Sequence, residues 1–301
     1  MKEICIIEFP SNLGLREPKP LHEPGVKFLP DWFRQHQLHN KLHPKNIIRL
    51  DAPQYNSVKD AASGVLNIDA IAGYSVQQAN IIKPLLEANQ LPFVLGGDCS
   101  ILTGAALALK QLGNYALFYL DGHTDFMDVR FSTSGGIGGM AASIVTGNGD
   151  KKITDILGLC PYIKEDNCWC VGNREYDDEY EDEIRNSTAT YFSLEKLQQT
   201  GIEKTVQQFL LMVEQKKLDG FWLHIDVDVL DDAVMPCVDS PTPGGLSYAE
   251  FDQLTGLLFA HEKFSGVEIT ILDPELDTTG KYTEAFVQHI TACFNNALKK
   301  D

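Results

Sequence analysis

Phe221-Trp-Leu-His-Ile-Asp-Val-Asp228 passes from apolar to acidic within a few residues, and Tyr115-Ala-Leu-Phe-Tyr-Leu-Asp-Gly-His-Thr-Asp125 makes the same change earlier in the chain. In each, the apolar run reads as a buried strand and the polar tail as its carboxyl end. Asp121, His123 and Asp125 stand at alternate positions, as do Asp226 and Asp228. On extended backbone, residues i, i+2 and i+4 face one side. Each stretch therefore gathers ligand-type groups on one face at a strand end. Four carboxylates and an imidazole converging there repel one another unless cations lie between them. The pattern calls for metal, and for more than one ion.

Outward from these two stretches, further apolar runs read as strands: Ile4–Phe9, Ile47–Leu50, Pro92–Leu95, Cys168–Val171 and Val267–Leu272. Segments of helical length lie between them, at Asn67–Asn89, Ser100–Leu112, Ser193–Lys217, Ser247–Ala260 and Thr283–Lys299. Ser193 and Ser247 sit at helix starts, and Ser247 with Glu250 has capping-box spacing. This alternation predicts a mostly parallel sheet with helices on both faces. Irregular stretches at Pro10–Pro30, Phe126–Gly139 and Leu230–Gly245 are rich in Gly, Pro or Ser. The last two leave directly from the acidic clusters, and ligands in parallel α/β folds sit beyond the carboxyl ends of strands. With no linker, repeat or low-complexity tract, one domain over residues 1–301 is expected.

The 301 residues are 44% hydrophobic and carry a formal charge of −17, which disfavours nucleic acid and anionic lipid as partners. No apolar run approaches the roughly 20 residues that span a bilayer. The start, Met1-Lys-Glu-Ile-Cys5, reads as a strand rather than a signal peptide. The seven scattered cysteines suit reduced thiols, so a cytoplasmic protein is expected. Cys168 and Cys170 read as alternate residues of a buried strand, and Cys237 as a buried small residue. His22, His36, His39 and His43 read as surface histidines.

A third strand-to-helix turn, Leu95-Gly-Gly-Asp-Cys-Ser100, completes the set; its glycines permit a tight turn, and Asp98 or Ser100 can cap the helix that follows. Gly96-Gly-Asp-Cys-Ser100, Asp121-Gly-His-Thr-Asp125 and Asp226-Val-Asp-Val-Leu-Asp231, followed by Pro241-Thr-Pro-Gly-Gly-Leu246, together resemble the ureohydrolase family of arginases, agmatinases and formimidoylglutamases. The resemblance runs from about Gly25 to the C-terminus. It implies a three-layer α/β/α sandwich that binds two manganese ions, whose bridging hydroxide attacks a guanidinium or amidine carbon. By motif it implies that Cys99, Asp121, Asp125 and Asp228 hold one side of the cluster. His123, Asp226, Asp125 and Asp228 then hold the other, with Asp121 and Asp228 bridging. Asp125 also accepts a hydrogen bond from the hydroxide, which makes it the catalytic residue. Ser134, beside Gly135, and Asp177 fall where the family meets the α-carboxylate and α-ammonium of its substrate. A trimer, hexamer or other homo-oligomer is consistent with the resemblance.

Three departures bear on chemistry. The family's histidine in the first motif is Cys99 here, a soft ligand that admits zinc, iron or nickel beside manganese. Gly138 stands where arginases carry a proton-shuttling histidine, a group typically worth roughly 10²–10⁴ in rate. Ile271 stands where they carry a glutamate that pairs with guanidinium; Glu268 precedes it by three residues and is expected to face elsewhere, while Asp273, Glu275 and Asp277 are candidate substitutes. The expected function is metal-dependent hydrolysis of linear C–N bonds in a small guanidino, hydroxyguanidino or amidino compound. The alternative is a catalytically impaired relative that binds metal or ligand. A deacetylase-like amide hydrolase ranks third, because no catalytic histidine pair precedes Asp121.

Overall fold

The computed structural model describes residues 2–176 and 178–298. Its core is one eight-stranded sheet: β1 Ile4–Phe9, β2 Asn46–Arg49, β3 Leu91–Gly96, β4 Tyr115–Leu120, β5 Cys168–Val171, β6 Thr190–Phe192, β7 Gly220–Asp226 and β8 Phe264–Thr270. The strand order is β2-β1-β3-β8-β7-β4-β5-β6 and every pairing is parallel. Helices cover both faces, giving the expected three-layer sandwich. Ile68–Glu87 packs on Leu102–Leu112, while Tyr248–Phe259 packs on Lys281–Leu298 and Ile202–Gln215.

Burial follows position in the sheet. β3 and β7 are buried at every residue, whereas the edge strand β2 is largely exposed. Strands covered on both faces read as continuous apolar runs, which is why the central ones stand out in the sequence. Aromatic side chains dock the helices: Phe118 meets Phe209 edge-on at 5.0 Å between centroids, and Phe93 meets Phe294 at the same distance. Asp98 caps its helix through the Ser100 amide at 2.8 Å, and Ser247 with Glu250 forms the full capping box.

Three elements depart from expectation. β6 is only three residues long and gives no apolar run. The helix Asp178–Arg185 is mostly acidic in sequence, and its apolar members Tyr180 and Ile184 stand one turn apart. β8 ends at Thr270 rather than Leu272 because Ile271 takes φ +74° and turns its amide to the Gly97 carbonyl at 2.7 Å. Of the four histidines read as surface groups, His39 is buried against Glu8, with 2.8 Å between Nε2 and Oε1, because the Glu8 carboxylate at the end of β1 needs donors there.

Candidate metal centre

The four central strands, β3, β8, β7 and β4, end at one place and deliver the site. Beyond β3, Gly97 lets the chain pass so close to Ser11 that a Cβ would stand 1.6 Å from the Ser11 carbonyl oxygen. That approach brings Cys99 over the end of β7, with Sγ 3.0 Å from Asp226 Oδ2 and 3.3 Å from Thr270 Oγ1. β4 delivers Asp121, and the turn after it delivers His123 and Asp125. Asp125 has φ +45°, a backbone state that Asp tolerates better than most residues. β7 delivers Asp226 and, one residue beyond the strand, the turn that carries Asp228.

Two groups of potential ligand atoms result. Atoms of Cys99, Asp121, His224 and Asp226 lie within 4.8 Å of one another, and so do atoms of Asp121, His123 and Asp228. Asp121 belongs to both. The partition thus differs from the one implied by the resemblance: Asp226, implied on the His123 side, stands with Cys99, while Asp228, implied to bridge, stands with the His123 group alone, 2.9 Å from Nδ1. The register explains this, since Asp226 is the last residue of β7 and points with the sheet face while Asp228 has entered the turn. Asp125 lies outside both groups; the Tyr119 hydroxyl donates to its Oδ2.

Backbone amides hold the carboxylates in place. His123 N–H donates to Asp121 Oδ1 at 2.6 Å, Gly122 N–H to Asp228 Oδ1 at 3.0 Å, and Asp228 N–H to Asp226 Oδ1 at 2.9 Å. Arg174 Nη2 donates to the carbonyls of Asp228 at 2.7 Å and Thr242 at 2.5 Å, tying the Leu230–Gly245 loop to the end of β7. Burial, then the Asp228 charge, pushes the Asp121 carboxyl up. The same two causes push Asp226 well up, and burial with Asp226 beside it does the same to the Cys99 thiol. Burial opposes a charge on His123, but Asp228 and Asp121 outweigh it and hold the imidazole well above its ordinary value. Asp121 Oδ2 is buried with no hydrogen-bond partner, and so is His123 Nε2. Crowded acids, an orphaned oxygen and Cys, His and Asp donors fit divalent cations.

Above the centre lies a cavity of about 160 Å³ lined by Leu15, Cys99, His123, Asp125, Gly138, Gly139, Glu175, Tyr180, Asp226, Asp228, Asp239, Ser240 and Ile271. Gly138 and Ile271 therefore face the centre as the alignment of motifs implied. Glu268 does not line it: its Oε1 pairs with His224 Nδ1 at 2.6 Å. Asp273 accepts from the Gly25 amide, Glu275 pairs with His22, and Asp277 accepts from Thr283, so none of these three carboxylates replaces the missing glutamate. Ser134 is not among the lining residues; its hydroxyl oxygen accepts from the Gly136 amide at 3.1 Å. Asp177 lies outside the described residues. Cys237 is buried and donates to the Leu276 carbonyl, away from both donor groups. Sequence reasoning passed over Tyr119 and His224, although each stands two residues before an acid already singled out and so shares its strand face.

Comparisons with known proteins agree with this architecture. An arginase from Staphylococcus aureus (strain COL) is 27% identical over 299 residues, covering 99% of this chain and 98% of its own. The native structure of arginase from Bacillus caldovelox superposes with a TM-score of 0.86 at 25% identity, covering 98% of each chain. The fold alone is shared with formimidoylglutamase from Bacillus subtilis, at a TM-score of 0.73 and 20% identity over 100% of this chain and 88% of that one. The family model described as Arginase family matches residues 2–295, and the chain belongs to that family of ureohydrolases, which act on linear C–N bonds.

Proposed function

We propose that this protein hydrolyses a linear C–N bond in a small guanidino, hydroxyguanidino or amidino compound, with two divalent cations held at the shared-aspartate centre. The observation that carries the reading is Asp121: one buried carboxylate common to two donor groups whose other members Cys99, His123, Asp226 and Asp228 line a cavity. When bound, such a cation pair makes a shared water acidic enough to supply a nucleophile near neutral pH. The chain's own residues do the rest. Cys99, Asp121 and Asp226 hold one side, and Asp121, His123 and Asp228 the other. Carboxylates suit manganese, while Cys99 draws its side toward zinc, iron or nickel. Asp125 lines the cavity while the Tyr119 hydroxyl donates to its Oδ2, so its carboxylate would be placed to pass a proton between an attacking water and the leaving amine. Leu15 and Ile271 line the cavity with hydrocarbon, so the reacting group is gripped by shape rather than by an ion pair. That favours an amidine or N-hydroxylated head, whose carbon is more electrophilic than that of a plain guanidinium. Glu175 and Asp239 also line the cavity and suit a cationic tail.

Gly138 and Ile271 also favour a second reading, a protein that binds metal or ligand without turnover. The two readings separate in one experiment. Metal content is measured by elemental mass spectrometry after purification without chelator, and the loaded protein is then offered guanidino, N-hydroxyguanidino and amidino compounds. Two ions per chain with release of urea, hydroxyurea, ammonia or amine supports the hydrolase. Bound metal without product from any of them supports the binding protein.

A further inference from the structure

A row of polar side chains crosses the sheet one step below the centre. Tyr119 on β4 pairs in register with His224 on β7, and His224 pairs with Glu268 on β8. All three are fully buried. The Tyr119 and His224 rings stack with planes 2° apart and centroids 4.2 Å apart. Glu268 takes Nδ1 of His224, leaving Nε2 3.5 Å from Thr270 Oγ1, the same hydroxyl that touches Cys99 Sγ. The imidazole is thus fixed in rotation by a ring on one side and a carboxylate behind it. Its ligand atom lies within 4.8 Å of those of Cys99, Asp121 and Asp226, where Asp121 Oδ2 is left without a partner.

From this arrangement we infer that His224 is a metal ligand, oriented by Glu268, and that with Cys99, Asp121 and Asp226 it forms a site for a zinc-class ion, distinct in kind from the oxygen-rich His123 side. The inference rests on the proposed two-cation reading and deepens it to an asymmetric centre. A sulfur, an imidazole nitrogen and two carboxylates match zinc better than manganese. A carboxylate behind a metal-binding imidazole sets its orientation and raises its basicity, and removing such a partner typically lowers metal affinity 10–100-fold. Ion binding here displaces the Cys99 thiol proton to solvent.

The test is X-ray absorption at the zinc and manganese edges, on full-length protein loaded with one equivalent of zinc and then with excess manganese. Zinc is expected to show one sulfur neighbour and imidazole outer-shell scattering, and manganese no sulfur. In His224→Ala the zinc imidazole signal disappears. In Glu268→Gln, the milder change, zinc binds roughly 10–100-fold more weakly while manganese binding is unchanged. Absence of bound zinc, zinc without both sulfur and imidazole, or an imidazole signal unaltered by His224→Ala overturns the assignment. Wild-type protein that binds zinc in this way but no manganese would instead remove the two-cation reading and leave the His224 site standing.

Discussion

Cys99 Sγ and Asp226 Oδ2 lie 3.0 Å apart although 127 residues separate them in the chain. The contact joins the turn after β3 to the end of β7 and puts a thiol where the first family motif carries an imidazole. Replacing it as Cys99→His supplies a harder donor at the same point. Manganese affinity is expected to rise about tenfold or more, equivalent to about 1.4 kcal/mol. Equilibrium dialysis followed by elemental analysis reads this directly; unchanged or weaker binding would show that Cys99 faces no cation.

The metal-free protein is expected to weaken as pH rises. Burial first, and neighbouring carboxylates second, raise the acids of Asp121, Asp125 and Asp226 above their ordinary value of 3.8. An acid raised on folding releases its proton more readily in the unfolded chain. Stability therefore falls as pH climbs from that ordinary value toward the raised ones, by about 1.4 kcal/mol per pH unit for each group titrating in the window. Thermal unfolding in chelator from pH 4 upward checks the slope, and manganese loading is expected to reverse it. A flat profile in chelator counts against the crowding of these acids.

Glu8 predicts the opposite slope at acid pH. Burial pushes its carboxyl up, but hydrogen bonds from His39 and Arg34 and their charges pull it down from 4.5 to about 2. The stabilisation is complete above 4.5 and is lost as pH falls through about 2. Glu8→Gln leaves the Arg34 guanidinium, 2.5 Å from Oε1, without its counter-ion. The expected loss at neutral pH is on the order of 3 kcal/mol, with a shallower acid limb in denaturant titrations between pH 5 and 2.

Arg174 predicts a link between loop order and metal binding. Its guanidinium bonds the carbonyls of Asp228, Leu230 and Thr242 at once. Lysine cannot span all three, so Arg174→Lys is expected to lose about 2–4 kcal/mol of stability. Limited proteolysis should then cut between Leu230 and Gly245, and Asp228-side metal should dissociate faster. An uncut loop would show that other contacts hold it.

Ile271 predicts the head-group preference. Its backbone is at φ +74°, strained for a β-branched residue, and its side chain lines the cavity. Ile271→Glu places a carboxylate there and relieves the branching. The ratio of kcat/KM for guanidino over the less basic N-hydroxyguanidino substrates is expected to rise at least about tenfold, with some loss of stability from the added buried charge. An unchanged ratio would mean that the head group does not meet residue 271.

Much of this protein was legible along the chain. Fully buried strands such as Pro92–Leu95 and Phe221–Ile225 are continuous apolar runs, so composition alone marks them. The period-two spacing picked out Asp121, His123, Asp125, Asp226 and Asp228, although only Asp226 lies in a strand and the others stand in the turns beyond β4 and β7, Asp125 at φ +45°. Short or polar elements such as Thr190–Phe192 and Asp178–Arg185 were not legible, since packing on neighbours rather than their own pattern stabilises them.

The sequence by itself determined the parallel α/β architecture, the family and the set of acids that demand cations, because each depends on residue type and short spacing. Only the tertiary structure decided how those groups are shared. Strand register set Tyr119, His224 and Glu268 in one row and paired Asp226 with Cys99 and Asp228 with His123. Register is a relation between strands distant in sequence, set by the whole sheet, and no local pattern encodes it.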